Sequence, residues 1–239
     1  MKTLGHGYRA LVIGSSGAIG GAFISALRAD PACAEVVALS RSTHPDFSLE
    51  NEASIAQAAE GLKSATPFSL MIDATGALTI DGHGPEKSLN ALNAQRLLRS
   101  FQINAVGPAL LLKYFLPLLG TRRAVYAKLS ARVGSIADNK KGGWYGYRAS
   151  KAALNMLLQT AAIELGRKNP AAVIAALQPG TVQSALSTPF VGQDAALLPQ
   201  VSVEGLLAAL DQLGMTSETE CPQHKGAYFI DYLGQSIPW

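Results

Sequence analysis

Short apolar runs and longer stretches of helical periodicity alternate along nearly the whole chain. The pattern predicts strands at 9–13, 36–39, 68–73, 124–129, 172–177 and 227–230, with helices at 18–29, 52–63, 94–119, 146–168 and 203–213. The predicted strands are apolar throughout rather than alternately polar and apolar, which indicates burial on both faces. Strands that alternate with helices need crossover connections, and these build a parallel sheet with helices on both sides.

Nothing in the chain divides this pattern into parts. The 239 residues contain no repeat, low-complexity tract or linker, and 48% of them are hydrophobic, so we predict a single α/β domain over 1–239. The helix at 146–168 carries apolar residues on nearly every side. That distribution indicates burial against the sheet, against another subunit, or against both.

The composition excludes several classes of function. The formal charge is only +3 and the charged residues are scattered, so we do not expect a nucleic-acid partner. Cys33 and Cys221 are too few for a disulfide framework and indicate a reducing compartment. Cys221 and His224 could supply two metal ligands where zinc needs three or four, so we expect no metal. No stretch is long and apolar enough to cross a bilayer, and we expect a soluble, cytoplasmic protein without a membrane partner.

A glycine-rich turn links the first predicted strand to the first helix. It reads Gly14-Ser15-Ser16-Gly17-Ala18-Ile19-Gly20. Glycines at this spacing let the backbone turn tightly and approach a pyrophosphate, which the free N–H groups at the start of a helix can bind. We therefore predict a dinucleotide site, with contacts from Gly14, Ser16, Gly17, Ala18 and Ile19.

The end of the second strand bears on which dinucleotide is bound. An acid at this place binds the ribose 2′-hydroxyl of NAD, whereas an arginine accommodates the 2′-phosphate of NADP. Here the strand ends Leu39-Ser40-Arg41-Ser42, and no acid precedes Asp46. Because Arg41 can pair with a phosphate in two-pronged fashion, we favour NADP(H) over NAD(H). The alternative is that Arg41 is a solvated loop charge.

Tyr147 and Lys151 lie four residues apart on the helix predicted at 146–168. Residues at this spacing share a face, so the phenol and the ammonium can meet over one ligand. A free tyrosine titrates near about 10, and a nearby positive charge favours the phenolate and lowers that value. The pair could therefore transfer protons.

These features, with three more in the same order, resemble the short-chain dehydrogenase/reductase family. The resemblance covers nearly the whole chain and implies a Rossmann-type, doubly wound parallel sheet of about seven strands. The further matches are Asp73-Ala74-Thr75-Gly76 to the family's Asn-Asn-Ala-Gly segment, Asn104 to its helix asparagine, and Pro179-Gly180-Thr181-Val182-Gln183-Ser184 to its Pro-Gly-x-Val-x-Thr turn. Within the family, the segments at 81–87, 130–135, 228–231 and 237–239 resemble a C-factor-like, carbonyl-reductase-like group.

The resemblance implies reduction of a ketone or aldehyde, or oxidation of an alcohol, with hydride from NADPH. Tyr147 would donate the proton, while Lys151 would lower the tyrosine pKa and hold the nicotinamide ribose. Asn104 would position a water that links Lys151 to solvent; alternatively it only bonds backbone. Further cofactor contacts would come from Ala74, Thr75, Gly76, Pro179, Gly180, Val182 and Ser184. Asp46 would contact adenine by family position, or is a turn residue after Pro45.

One residue departs from the family pattern. The family carries a catalytic serine three residues before a glycine, and counting back from Gly134 gives Ala131. Ser130 lies one residue before Ala131, and Ser135 follows Gly134. We assign the role to Ser130 and keep Ser135 as the rival. A third alternative is that water or backbone replaces the hydroxyl.

The sequence leaves substrate, assembly and turnover open. The stretch at about 185–200, which contains Leu186, Pro189 and Phe190, predicts a substrate lid, and Trp144 and Phe190 could form apolar walls for an apolar or aromatic carbonyl compound. The apolar long helices resemble the family's dimer interface, so we expect a homodimer or homotetramer. The alternative function is a dinucleotide-binding signalling or regulatory protein of C-factor type with little turnover.

Overall fold

The computed structural model describes residues 1–64, 66–187, 196–214 and 226–239. These residues contain one sheet of six parallel strands in the order β2-β1-β3-β4-β5-β6. The strands are β1 (Tyr8–Ile13), β2 (Cys33–Leu39), β3 (Leu70–Asp73), β4 (Ala124–Leu129), β5 (Ala172–Gln178) and β6 (Tyr228–Asp231). Each of the six predicted apolar runs forms one of these strands. The described residues thus give six strands where the sequence predicted about seven.

The helices follow the strands with one change to the prediction. They are α1 (Ala18–Ala29), α2 (Glu52–Gly61), α3 (Ala94–Phe101), α4 (Gly107–Phe115), α5 (Tyr145–Lys168) and α6 (Pro199–Gln212). The single helix predicted at 94–119 is divided by a π-helical segment, Gln102–Val106, between α3 and α4. Pro108 explains the widening, because it has no N–H to donate to the carbonyl of Asn104 four residues earlier.

The sheet is buried on both faces, as its continuous apolar strands predicted. Leu11 and Ile13 of β1 belong to one apolar cluster, with residues of α2, α4 and α5. Ala10 and Val12 belong to the other, with residues of α1 and α6. Each fully buried leucine or isoleucine contributes about 1.5–3 kcal/mol relative to exposure. In the described ranges, no helix combines the length and the apolar character needed to cross a membrane.

The strand order places a crevice at the carboxyl ends of the central strands. The chain moves outward from β1 to β2 and then returns to β3 on the opposite side of β1. Ligands of open α/β sheets bind where the order reverses in this way. The loops that follow β1, β3, β4 and β5 meet at this edge, and they carry the residues predicted to bind a cofactor.

Candidate active site

The glycine turn after β1 packs too closely for side chains. Gly14 has φ +81°, and a Cβ there would lie 3.0 Å from the carbonyl carbon of Ala74. A Cβ on Gly20 would lie 2.2 Å from the Gly14 oxygen, which fixes the start of α1 against the turn. The N-terminus of α1, which begins after Gly17, therefore opens directly onto the crevice.

A groove of about 320 Å³ runs from this turn to the end of β2. We call it the glycine-loop groove. It brings together seven of the predicted cofactor residues: Gly14, Ser16, Gly17, Arg41, Ala74, Thr75 and Gly76. Asp46 lies instead in a neighbouring cavity with Thr43 and His44. The groove thus gathers Arg41 with the glycine turn and leaves Asp46 outside.

A second cavity, of about 200 Å³, lies beside Tyr147, and we call it the catalytic cavity. The Pro-Gly turn after β5 forms one wall, and the loop after β4 forms another. Its lining includes the predicted residues Ile19, Ser130, Tyr147, Pro179, Gly180, Val182 and Ser184. Trp144 and Leu186 also line it, and the Trp144 ring lies edge-on to Tyr147 with centroids 6.2 Å apart. Tyr147 also borders a third cavity of about 380 Å³, toward α3.

Tyr147 and Lys151 lie on one face of α5, as their spacing predicted. The Lys151 Nζ lies 5.7 Å from the Tyr147 ring centroid and donates to the carbonyl of Leu129 at 3.1 Å. Burial raises the pKa of Tyr147 to about 12, whereas a nearby positive charge was expected to lower it. Burial, assisted by the ammonium of Lys128, lowers the pKa of Lys151 to about 7, against the opposing carboxylate of Asp73. The two groups therefore titrate far from their ordinary values, as is common at catalytic sites.

Asn104 is fully buried in the π-helical segment, next to Lys151. Its Nδ2 donates to the Ala77 carbonyl at 2.9 Å, and its Oδ1 accepts from the Ala77 N–H at 2.9 Å. A Cβ built on Gly76 would lie 3.3 Å from Asn104 Oδ1 and 3.5 Å from Lys151 Nζ. A methyl group at position 76 would therefore contact both side chains, so Gly76 lies against Asn104 and Lys151 at once.

The two candidate serines, on the loop after β4, have different surroundings. Ser130 is buried, lines the catalytic cavity, and donates through Oγ to Asn155 Oδ1 at 2.6 Å. Ser135 is also buried, but its Oγ accepts from the Asp138 N–H, and it does not line that cavity. Ala131 does line it. The alanine at the family's serine position thus faces the cavity with Ser130 directly before it.

Glu86 holds the start of α5, a role that no sequence motif indicates. The carboxylate accepts the main-chain N–H of Gly146 at 2.9 Å, although 60 residues separate the two in the chain. Trp144, at the N-cap, has φ 54° and makes no side-chain cap. A carboxylate at a helix N-terminus satisfies a free N–H and complements the helix dipole. Glu86 therefore positions the turn that carries Tyr147.

Lys128 is a second residue near the site that no sequence motif indicates. It lies within β4, is 0% exposed, and its Nζ pairs with Asp73 Oδ1 at 2.9 Å. A lysine inside an otherwise apolar strand was the available signal, because a buried lysine needs a partner.

Comparison with known proteins identifies the family. A family model of short chain dehydrogenases matches residues 9–194. The chain belongs to the short chain dehydrogenase family. The protein is therefore an oxidoreductase in class, and the expected resemblance is confirmed.

Three relatives mark its place in the short chain dehydrogenase family. The C-signal protein of Myxococcus xanthus is 40% identical over 145 residues, which are 60% of this chain and 78% of that protein. The carbonyl reductase Sniffer of D. melanogaster superposes with a TM-score of 0.80 at 22% identity, covering 98% of this chain and 100% of Sniffer. An NADPH-bound carbonyl reductase from chicken fatty liver gives a TM-score of 0.78 at 23% identity, covering 100% of this chain and 97% of the reductase.

Some of the predicted residues lie outside the described ranges. These are Pro189, Phe190, Cys221 and His224. Pro199 and Gln200, which the predicted lid included, are the first two residues of α6.

Proposed function

We propose that the protein is an NADP(H)-dependent carbonyl reductase that converts a ketone or aldehyde into an alcohol, or catalyses the reverse reaction. One observation carries the proposal. Tyr147 and Ser130 line the same cavity, and Lys151 lies one turn after Tyr147 on the same helix face. The cavity lies beside a groove suited to a dinucleotide, so a proton donor and a hydride donor can meet one substrate.

The glycine-loop groove fits NADP(H) by its shape and charge. No side chain fits at Gly14, because a Cβ would meet the backbone of Ala74, and the start of α1 beside this turn would bind a pyrophosphate through its free N–H groups. Arg41 is exposed at the rim, and no ion-pair partner for it occurs in the described part of the chain. It would hold the 2′-phosphate, and Thr75, Gly76, Pro179 and Val182 would line the path toward Tyr147. NADPH, when bound, supplies the hydride. Binding of NADPH by the chicken reductase agrees with this assignment.

Tyr147 would act as the acid in reduction. Its raised pKa keeps the phenol protonated at neutral pH, so it can donate to the carbonyl oxygen. The Lys151 ammonium would stabilise the phenolate that remains. Ser130 would hydrogen-bond the carbonyl oxygen and fix its position. In oxidation, Tyr147 would take the proton from the alcohol.

Asn104 would take part in proton transfer through its main-chain carbonyl. Both polar atoms of its side chain are bonded to Ala77. Its carbonyl, however, lacks the usual helical donor because Pro108 has no N–H. We therefore assign the water-binding role to that carbonyl, which could link Lys151 to solvent.

The substrate would be apolar on its non-reacting side, since Trp144, Leu186 and Val133 line the catalytic cavity. The segment after the Pro-Gly turn would act as the lid. Main-chain hydrogen bonds join the two ends of this segment: the Leu197 N–H donates to the Thr181 carbonyl and the Gln183 N–H donates to the Leu197 carbonyl, each at 2.8 Å. A loop with joined ends can move as a unit over a ligand.

We propose a homodimer or homotetramer that works in the reducing cytoplasm. Large apolar side chains are exposed on α3 and α5, among them Leu98 at 64% and Met156 at 66%. Exposed apolar surface of this kind commonly marks a protein interface. Light scattering of the wild type and of Met156→Glu tests the assembly, since the charge should shift it toward monomer.

The second candidate is a dinucleotide-binding signalling protein with little turnover. The 40% identity to C-signal and the alanine at position 131 favour it. It shares the cofactor site, so binding alone does not separate the two functions.

NADPH consumption with a broad panel of ketones and aldehydes tests the proposal. We expect the wild type to reduce members of the panel and Tyr147→Phe to lose that activity while it binds NADPH as before. A wild type that binds NADPH and reduces nothing would refute the reductase and favour the signalling protein. Tyr145→Phe is the matched control, because Tyr145 is followed four residues later by Ala149 rather than a lysine.

A further inference from the structure

A closed polar network lies beneath the active site. Asp73 ends β3 and Lys128 is its register partner on β4. Their side chains are 0% and 1% exposed, and Lys128 Nζ lies 2.9 Å from Asp73 Oδ1. The same ammonium donates to the carbonyl of Thr75 at 2.6 Å and to its hydroxyl at 3.0 Å. Tyr126 donates to Asp73 Oδ2 at 3.4 Å.

Thr75 completes the network. Its N–H and its hydroxyl both donate to Asp73 Oδ1, at 2.9 and 2.6 Å. Lys128, Thr75 and Asp73 thus form a ring of hydrogen bonds in which every polar atom faces a partner. A buried network that is fully satisfied holds one conformation, because any rearrangement leaves a desolvated polar group unpaired.

The ring fixes the turn on which two parts of the site rest. Ala74 and Thr75 lie against the glycine turn, where a Cβ on Gly14 would meet their backbone at 3.0–3.2 Å. Gly76 lies between Asn104 and Lys151. The turn therefore joins the glycine-loop groove to the catalytic lysine, and the ion pair anchors it from within the sheet.

Stability alone does not account for this pair. Two apolar side chains of similar volume usually stabilise a core at least as well as a buried ion pair, because desolvation offsets the attraction. An ion pair differs from them by the directed bonds it makes and by its electric field. Here the directed hydrogen bonds join the pair to Thr75, and the charges of the pair act on Lys151.

We propose that Asp73 and Lys128 are a positioning pair, which fixes the 74–76 turn and sets the charge around the Lys151 ammonium. The charges that act on Lys151 in the described ranges are Lys128 of β4 and Asp73 of β3. The uncharged Tyr147 lies one turn earlier on its own helix, and the π-helical segment contributes the uncharged Asn104. Burial and then the charge of Lys128 lower the Lys151 pKa, and Asp73 opposes them more weakly. Removing both charges should therefore raise it.

The central variant is Asp73→Asn with Lys128→Met, which removes both charges and keeps the volumes similar. Its matched control is Glu52→Gln with Lys113→Met, an exposed ion pair with a 2.7 Å contact. Spectra with [ε-13C]lysine report the titration of Lys151, whose signal is the one lost in Lys151→Met. Fluorescence titration reports NADPH affinity. This proposal rests on the proposed function, because it concerns the site of that function. Neither measurement needs turnover, however, so both can be made even if the protein has no reductase activity.

In the central variant we expect the Lys151 midpoint to rise and NADPH binding to weaken about tenfold, with no change in the control. A folded double variant with the wild-type midpoint and affinity would overturn the proposal. Should that variant not fold, Thr75→Val tests the positioning half, since it breaks the ring and removes no charge. We expect it to weaken NADPH binding and to leave the Lys151 midpoint unchanged; unchanged affinity would overturn the proposal.

Discussion

Ser130 donates its hydroxyl proton to Asn155 Oδ1 at 2.6 Å, and Asn155 lies one turn beyond Lys151 on the same helix. In the described structure, Asn155 Nδ2 is buried without a hydrogen-bond partner. A half-turn of the amide would place Nδ2 against the Ser130 oxygen. The hydroxyl would then be free to donate to a carbonyl in the catalytic cavity. Asn155 can thus hold Ser130 in place in either state.

Ser130→Ala should lower kcat/KM for carbonyl reduction by about 100-fold, because it removes a donor to the developing oxyanion. Steady-state kinetics with the best substrate of the panel measure the effect. Ser135→Ala is the control and should change kcat/KM by less than about twofold, since Ser135 does not line the cavity.

Ala131→Ser in the Ser130→Ala background extends the test. Ala131 faces the catalytic cavity, so a hydroxyl there should restore part of the rate. If Ser130→Ala reduces the substrate as fast as the wild type, the hydroxyl role belongs to another group and the assignment fails.

Arg41→Ala should weaken NADPH binding by about 10- to 100-fold and change NADH binding little. The reason is that a charged hydrogen bond to a phosphate contributes about 1.5–3 kcal/mol, and only NADPH carries that phosphate. Fluorescence titration with both cofactors measures it. Equal losses for NADPH and NADH would contradict the 2′-phosphate assignment, and Arg28→Ala, on α1 and away from the glycine-loop groove, supplies the control.

The sheet could be predicted from the sequence because its signals are local. Apolar runs of strand length show directly in the residues, and all six predicted runs form strands. The division of the helix at 94–119 was missed, although Pro108 was visible, because a proline can end, kink or widen a helix and only the packing selects which.

The parts of the site that could be predicted are those whose residues are close both in the sequence and in the structure. Tyr147 and Lys151 meet because four residues make one helical turn. Glu86 and Gly146 are 60 residues apart, and Asp73 and Lys128 are 55 apart, so their contacts depend on which strands and loops become neighbours. Asp46 lines a different cavity from the glycine-loop groove, and its expected contact with adenine stays a prediction, because a position in the loop after β2 does not reveal which cavity the loop faces.

The rate of carbonyl reduction should be highest at acidic pH and fall as pH rises through about 7, where Lys151 loses its proton. Tyr147 stays protonated in this range because burial raises its pKa to about 12. Above neutral pH no ammonium stabilises the phenolate left after donation, so reduction slows. Alcohol oxidation needs the phenolate as base. Tyr147 stays protonated across this range and the ammonium that would favour its ionisation is lost, so oxidation should not speed up as the pH rises. Rates from about pH 5 to about pH 9 in both directions test this, and a reduction rate that rises with pH would contradict it.

Glu86→Ala should lower both stability and turnover, because Glu86 holds the first turn of α5. Loss of a capping hydrogen bond costs about 1 kcal/mol of unfolding free energy. Glu86→Gln keeps the bond and loses only the favourable charge at the helix N-terminus, so it should cost about 0.3–1 kcal/mol. The kcat should fall in the same order, since Tyr147 lies in that turn. Urea unfolding and steady-state kinetics measure both effects. Glu164→Gln, an exposed pair with Lys168 near the other end of α5, is the control, and a Glu86→Ala protein as stable and active as this control would refute the role.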